Sequence, residues 1–174
     1  VAKGCFKVGL YKQGLLHDMS KYSPTEFWVG AKYYQGTRSP NNAEREDIGY
    51  SSAWLHHKGR NKHHYEYWID YSMQALPGGM APVPMPDKYI AEMIMDRIAA
   101  SKVYMGGEYT DRSPLDYYYQ GTDRAPIHPE TKAKLLYVLE MLAEEGEEKT
   151  FRFIKEELVQ HKRCMDWHQL EKAE

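Results

Sequence analysis

The chain has 174 residues, of which 23 are Lys or Arg and 25 are Asp or Glu, and its formal net charge is −2. Such an even balance gives no net positive field, so a nucleic-acid polymer is not an expected partner. The length fits a single domain over residues 1–174. No apolar run approaches the roughly 18 residues of a membrane span, and no charged segment leads into an apolar one at the N-terminus, so neither membrane insertion nor a signal peptide is expected.

Cysteine and aromatic usage add two expectations. Cys5 and Cys164 lie near opposite ends of the chain, without the CxxC or finger spacing of a zinc module. This usage indicates reduced thiols in a cytoplasmic protein, and a disulfide between the two is the alternative. The fifteen Tyr and four Trp residues have an apolar body and a polar tip. Such side chains suit the wall of a polar cavity, and equally a core and its rim.

Capping signals and helical periodicity mark the first elements. Apolar residues at helical spacing predict a first helix over about 2–18. Ser23 then acts as a cap, with Pro24 in the first turn and Glu26 completing a capping box. These signals predict a second helix that runs to about Gln35.

The middle of the chain alternates helical patterns with breaks. A third helix is predicted from Asn42, which can cap it, to about Lys58. Residues 59–61 predict a break or kink, after which a helical pattern resumes over 62–76. Proline and glycine then predict a loop over 77–87, which is a candidate flap or lid.

The second half is also predicted to be helical. Asp87 can cap a helix that ends near residue 106, and its apolar positions keep the helical period. Residues 108–129 are rich in turn formers, and two helices are predicted over about 129–144 and 147–171. No stretch convincingly predicts a strand, so the predicted fold class is all-α, a helical bundle.

Five of the eight histidines fall within a short part of the chain, between positions 17 and 64. A single histidine is more often a hydrogen-bonded core or surface group than a metal ligand. Neutral imidazoles together with carboxylates nevertheless suit ions such as zinc, iron and manganese. The clustering therefore favours a metal site.

Four of these histidines form two pairs separated by seven residues. On an uninterrupted helix the pairs would lie two turns apart on nearly one face, whereas a kink at Gly59 would make them converge. Adjacent helical residues point about 100° apart, so one member of each pair should face inward unless two ions are held. We favour His57 and His64, with His56 nearly as good and His63 the weakest.

A carboxylate that could complete such a site lies on the helix predicted over 88–105. Asp96 stands beside an apolar stripe, where burial would be costly unless it is paired or binds a metal. Glu92 lies one turn earlier on the same side. The alternative is an ion pair between Asp96 and Arg97 or Arg60.

The segment GLLHDMSK resembles the motif of the HD superfamily of metal-dependent phosphohydrolases, in which HD follows a leucine-rich helix and precedes an apolar residue, a small residue and Lys. His17, Asp18 and Lys21 match this motif position by position, and Asp96 in MDRIAAS resembles its final Asp. Taken together, LLHDMSKYSPTEF, AWLHHKGRNKHHYEYW and EMIMDRIAAS are similar to an uncharacterised bacterial and phage family of HD-like type. This similarity covers about residues 10–105.

The resemblance implies an HD-like helical domain, with a core over about 1–105 and C-terminal helices over about 129–171 packed on it. It also implies one or two divalent ions, with Mn, Fe, Zn, Ni and Co as candidates. HD proteins use a further histidine upstream of the HD pair, and residues 1–16 contain none. The metal ligands that the resemblance and the histidine pairs together suggest are His17, Asp18, His56, His57, His64 and Asp96.

The implied activity is hydrolysis of a nucleotide or another small phosphate ester by a water molecule that the ion activates. The implied catalytic residues are Asp18, which can bridge two ions, and Lys21 and Arg60, which with Arg97 can neutralise phosphate charge. Lys21 is also placed to satisfy carbonyls at a helix C-terminus. The alternatives are an HD-type di-iron oxygenase and a non-catalytic, metal-bound helical module that works by protein contacts. The sequence leaves the oligomeric state open, and a homo-oligomer is compatible with it.

Overall fold

The structure is a computed structural model that describes residues 1–73, 79–121, 125–162 and Trp167. Most of these residues are helical, which confirms the predicted all-α class. Some predicted segments fall partly outside the described residues, namely at 74–78, 122–124, 163–166 (with Cys164) and 168–174.

In chain order the α-helices are α1 (Ala2–Lys7), α2 (Tyr11–Leu16), α3 (Pro24–Lys32), α4 (Pro40–Ile48), α5 (Ser52–Lys58), α6 (Asp87–Met105), α7 (Ser113–Tyr119) and α8 (Pro129–Phe153). Short 3-10 helices lie at Met19–Tyr22, Tyr65–Trp68 and Gly106–Glu108, and a π-helical segment, Ile154–Val159, continues α8. Two antiparallel strands, β1 (Ile69–Tyr71) and β2 (Met80–Pro82), pair with Ile69 opposite Pro82 and Tyr71 opposite Met80.

Two of the predicted helices are broken into shorter ones. The prediction of one helix over 2–18 is wrong, because Gly9 adopts a left-handed backbone (φ 88°) between α1 and α2. The helix predicted from Asn42 to Lys58 is likewise two, α4 and α5. Ser51 ends the gap between them, since its Oγ accepts a hydrogen bond from the backbone N–H of Trp54 at 3.0 Å and caps α5.

One of the two hydrogen bonds of the predicted capping box is present at the start of α3. The backbone N–H of Glu26 donates to Ser23 Oγ at 3.4 Å, and Pro24 lies in the first turn. The other half of the box is not formed as expected, because the Glu26 carboxylate contacts two histidines of α5. α3 ends at Lys32, earlier than predicted, and α5 packs beside it.

The segment after α5 does not form the predicted α-helix. Up to residue 73, the last described residue of this segment, the helix predicted over 62–76 is replaced by a turn, the 3-10 helix Tyr65–Trp68 and strand β1. The expectation that the chain contains no strand is therefore wrong for β1 and β2. Ile69 and Tyr71 favour extended backbone, and the proline-rich partner segment cannot form a helix.

The second half contains the two longest helices, α6 and α8. The break predicted between 144 and 147 is present as a non-helical residue, Gly146, inside α8. The segment 108–129, predicted as turns, also contains the short helix α7. The C-terminal helix predicted to reach 171 passes into the π-helical segment at Ile154.

The hydrophobic core joins the first helix to the last ones. Apolar residues spaced three or four apart on α6 and α8 are buried, as helix packing requires. Cys5 and Val8 from the N-terminal region and Leu158 from the π-helical segment complete the same cluster. Asp96 lies on the middle of α6, so this core fixes one wall of the site described below.

Candidate metal centre

Side chains from four parts of the chain meet at one place beside α6. His17 follows the last residue of α2, and Asp18 comes next with a left-handed backbone (φ 56°, ψ 24°). α5 and the turn after it supply three histidines, and α6 supplies a glutamate and an aspartate. The residues whose ligand atoms could hold metal ions in this cluster are His17, Asp18, His57, His63, His64, Glu92 and Asp96.

One ligand group is formed by His17, Asp18 and Asp96. The Nε2 atom of His17 lies 3.2 Å from Asp18 Oδ2 and 3.5 Å from Asp96 Oδ1. An imidazole nitrogen with two carboxylate oxygens is a suitable partial donor set for a divalent transition metal. This group contains the predicted HD pair and the predicted final Asp.

A second ligand group uses the other oxygen of Asp18 with three histidines, His57, His63 and His64. Asp18 Oδ1 lies 3.2 Å from His57 Nε2 and 3.4 Å from His63 Nε2. The Nε2 atoms of His57 and His64 face each other at 2.9 Å. Two imidazole lone pairs cannot face each other without a proton or a cation between them. Asp18 therefore has one oxygen in each group.

Three buried polar atoms at the cluster support a bound cation. Within the described part of the chain, His17 Nε2, Asp18 Oδ1 and His63 Nε2 are buried and make no hydrogen bond. Such atoms cost free energy unless a water or an ion satisfies them. Because all three are good metal donors, the residues fit one or two divalent ions.

Hydrogen bonds behind the ligands orient the α5 histidines. Glu26 accepts from His57 Nδ1 at 2.7 Å and from His56 Nδ1 at 2.6 Å. The Asn61 amide donates to the backbone carbonyl of His57 at 2.9 Å and to Ser20 Oγ at 2.7 Å. A proton held on Nδ1 of His57 leaves its Nε2 free to bind a metal.

Burial and charge act in opposite directions on the ionisation of the cluster. Burial alone would lower the pKa of His17, but its contacts with Asp18, Asp96 and Glu92 raise that pKa to about 11. Burial also opposes ionisation of Asp18, yet its contacts with His17 and His57 and the charge of Lys21 bring its pKa well below the usual range. Burial and the neighbouring His63 and His57 lower the pKa of His64 to about 2, which leaves that imidazole neutral.

Two predicted site residues lie away from the ligand groups. His56 contacts the Glu26 carboxylate, so the structure does not bring it to the cluster as a ligand. Arg60 is exposed, and its guanidinium donates to the backbone carbonyl of His56 at 3.4 Å. Arg60 is not among the residues that line the cavity described below. Lys21, by contrast, reaches Asp18 Oδ2 at 2.5 Å.

Three residues of the site were underrated from the sequence. A helix over 62–76 would make the side chains of His63 and His64 diverge, so the helical pattern favours His64 over His63. In the observed turn both histidines reach the cluster. Glu92 was noticed only as a neighbour of Asp96, and Glu26 only as a capping residue. Glu92 and Glu26 contact histidines that are distant in the chain, so no local sequence pattern indicates these contacts.

A cavity of about 1080 Å³ opens onto the cluster, between α3, α5, α6 and α7. Asp18, His57, His64 and Asp96 lie on its wall, and Lys21 and Arg97 add positive charge. Trp54 packs on the His57 ring, with centroids 5.6 Å apart. The aromatic residues that line the cavity are Phe27, Tyr34, Trp54, Tyr65, Tyr104 and Tyr117.

The fold and the site define a mainly helical protein with a buried histidine and carboxylate cluster that could hold metal ions. Within the described residues, no helix combines the length and hydropathy needed to cross a membrane. The chain belongs to a family of unknown function, DUF5662, whose model matches residues 1–141. No curated protein and no solved structure matches the chain significantly. The family assignment covers the whole cluster but names no activity, so function is argued from the site.

Proposed function

We propose that the protein is a metal-dependent phosphohydrolase that acts on a nucleotide or another small phosphate ester. The observation that carries the proposal is that His17 and Asp18, which resemble an HD pair, meet Asp96 and a second group of histidines. Four residues of this cluster lie on the wall of one cavity, namely Asp18, His57, His64 and Asp96. The order of these ligands along the chain agrees with what the HD resemblance implies.

The donor atoms suggest how the ions would be held. His17, Asp18 and Asp96 would hold one ion, and Asp18 with His57, His63 and His64 would hold a second. When bound, such ions supply Lewis acidity that polarises a phosphoryl oxygen and makes water more acidic. Asp18 would bridge the two groups through its two oxygens. Because Lys21 contacts Oδ2 and the side chain of Asp18 is buried, its two oxygens would set the spacing of the groups before a substrate enters.

Positive charge beside the cluster suits a phosphate. Lys21 keeps an exposed side chain, lines the cavity and contacts Asp18 Oδ2. Arg97 lines the same cavity one residue after Asp96. These two cations would take the phosphate-binding role that the sequence assigned to Lys21 and Arg60, and an arginine can grip two phosphate oxygens at once. The aromatic wall suits a flat organic group attached to that phosphate.

The test combines metal analysis with an activity screen. Purified protein should contain a divalent metal at stoichiometric level, and it should release phosphate from members of a nucleotide and phosphate-ester panel supplied with Mn, Ni, Co or Fe. Consumption of dioxygen by the iron form, without phosphate release, would establish the di-iron oxygenase instead. A protein that holds no metal, and whose stability does not respond to a chelator, would overturn the proposal and favour an interaction module.

Replacing Asp18 by Asn tests the ligand assignment. The variant loses the charge shared by both groups, so we expect loss of bound metal and at least a 100-fold fall in phosphate release, on the order of the effect of removing a key charged group. Asn tolerates the left-handed backbone of residue 18, so circular dichroism should show the same helical content for D18N as for the metal-stripped wild type. Asp70→Asn, at an exposed carboxylate of β1, is the matched control. Retained metal in D18N would contradict the assignment.

A further inference from the structure

One buried carboxylate lies behind two ligands that belong to different groups. Glu92 is on α6, one turn before Asp96, and only 5% of it is exposed. Its Oε1 atom lies 3.0 Å from His17 Nδ1 and 3.3 Å from His63 Nδ1. The two rings lie side by side, with centroids 4.4 Å apart. A single oxygen atom thus faces both imidazoles.

This contact decides which nitrogen of each ring carries a proton. A carboxylate oxygen has two lone pairs, so Oε1 can accept a hydrogen bond from both Nδ1–H groups. A neutral imidazole protonated on Nδ1 has its free lone pair on Nε2. The Nε2 atoms of His17 and His63 are the buried atoms that make no hydrogen bond in the described part of the chain. When both rings are neutral, as metal binding requires, this contact would direct the two lone pairs into the cluster.

His17 joins Asp18 and Asp96 in one group, and His63 joins Asp18, His57 and His64 in another; the two histidines also form a third candidate group with Glu92 itself. Because Glu92 Oε1 contacts the Nδ1 atom of each ring, ions held on the Nε2 atoms would leave Glu92 behind the ligands. We propose that Glu92 is a positioning residue that fixes His17 and His63 together and so couples the two ion sites. The inference rests on the metal site of the proposed function. Glu92 does not line the cavity, so it acts through the histidines and not on a substrate.

Glu26 offers an internal comparison. It also bridges two histidines, but only His57 belongs to a ligand group, since His56 lies outside the cluster. Loss of Glu26 should therefore weaken one ion site, whereas loss of Glu92 should weaken both. If Glu92 couples the two ion sites, the Glu92 variant should weaken the binding of two ions and the Glu26 variant that of one. A general loss of rigidity would not give this difference.

The first experiment measures zinc binding to the full chain by competition with a chromophoric chelator. Glu92→Gln should weaken the binding of both zinc ions by about 10- to 100-fold, the usual effect of removing an outer hydrogen bond to a ligand. Glu26→Gln should weaken one ion by a similar factor. The matched control is Glu44→Gln, at a carboxylate that is 2% exposed and bonded to Ser51 and Ser52. That variant should lose stability but keep wild-type zinc affinity.

The second experiment reads the tautomers directly. Long-range ¹H–¹⁵N spectra of the zinc-loaded protein, labelled at histidine, should show His17 and His63 protonated on Nδ1, and both signals should shift in E92Q. Glu92→Asp is the second variant if E92Q does not fold. Its shorter side chain cannot reach both rings, so it should also bind zinc more weakly than the wild type.

The outcomes distinguish this inference from the proposed function. Unchanged zinc affinity and unchanged His17 and His63 signals in the folded variants would overturn the role of Glu92 alone. Glu92-dependent zinc binding without phosphate release in any metal form would support that role and overturn the phosphohydrolase. A wild-type protein that takes up no zinc or other divalent metal would overturn both.

Discussion

Asp18 combines two properties that few residues can supply. Its two carboxylate oxygens face the two different ligand groups. Its backbone is left-handed, a conformation that residues other than Gly, Asn and Asp rarely adopt. Backbone conformations of this kind cost free energy and concentrate at functional sites, where the surrounding structure holds them in place. Both the chemistry and the backbone therefore favour aspartate at position 18.

Metal binding should release protons from the cluster. In the metal-free protein the carboxylates raise the pKa of His17 to about 11, so its ring is protonated at pH 7 and must lose a proton before Nε2 can bind a metal. His64, with a pKa of about 2, has no proton to lose. Zinc affinity should therefore rise as pH increases from 6 to 9. Calorimetry in buffers of different ionisation enthalpy measures the release, and a binding heat independent of buffer would contradict it.

At the residue scale, the motif residues were the predictable part of the site. His17, Asp18 and Asp96 were proposed from the HD-like segments, and the structure brings them together. His63 and Glu92 could not be recognised in the same way, because each acts through contacts with residues far along the chain. A sequence pattern shows local spacing, whereas these contacts depend on how α2, α5 and α6 pack.

At the element scale, α5 carries two neighbouring histidines with different surroundings. Both His56 and His57 contact the Glu26 carboxylate, but only His57 belongs to a candidate ligand group. If His57 is a ligand, as proposed, His57→Gln should weaken zinc binding by more than the roughly 10- to 100-fold typical of losing an outer hydrogen bond. His56→Gln should remain within that range, because the His56 side chain is hydrogen-bonded to Glu26 and belongs to no candidate ligand group. The two variants change the same residue type on the same helix, so equal losses in a chelator competition assay would refute the difference between them.

The non-helical residue in α8 gives a second test at this scale. Gly146 has φ 79° and ψ 171°, which is essentially a glycine-only conformation, and a Cβ there would lie 3.3 Å from Asp111 Oδ2. Gly146→Ala should therefore lower the free energy of unfolding by about 1–3 kcal/mol. Gly107→Ala is the control, because a Cβ there meets no atom within 4 Å. Guanidinium titrations measure the free energy of unfolding of both variants. If G146A is as stable as the wild type, α8 can straighten at this point.

Local signals predicted helix starts better than helix breaks. The Ser23 and Pro24 start of α3 is present, because it depends on side chains adjacent in sequence. The break at Gly9 and the hairpin after Tyr65–Trp68 were missed, since apolar spacing continued across both. In each case tertiary packing overrides a pattern that is compatible with a helix.

At the scale of the whole molecule, a buried lysine ties α6 to α8. Lys134 Nζ donates to Asp87 at 2.7 Å and to Glu130 at 2.6 Å. Lys134→Met keeps much of the packing but removes the charge that both carboxylates contact. We expect a loss of about 2 kcal/mol, less than the 3–5 kcal/mol of a fully buried pair, because the carboxylates retain some contact with solvent.

The measurement for K134M is the urea unfolding midpoint. Lys149→Met is the control, because Lys149 forms an exposed pair with Glu145 within the same helix. Such a pair contributes about 0.3–0.5 kcal/mol. Similar midpoints for the two variants would mean that the buried lysine adds little to the connection between α6 and α8.

The overall organisation was predictable in class but not in detail. Helical periodicity on α6 and α8 is strong, so the all-α class and the apolar core positions of these helices followed from the sequence. The position of Cys5 and Val8 in that core could not be predicted from the sequence, because it depends on the turn at Gly9.

The short helices around the site have a consequence for folding. α2, α3, α4 and α5 contain 6, 9, 9 and 7 residues. Helices below about 12–15 residues are marginal on their own in water. Two ions that share Asp18 would link residues next to α2 to α6 and to α5, so they would act as cross-links that close the loops between these elements, and their binding free energy would contribute to folding. Metal supply during synthesis would then help to determine how much of the N-terminal half reaches its folded state.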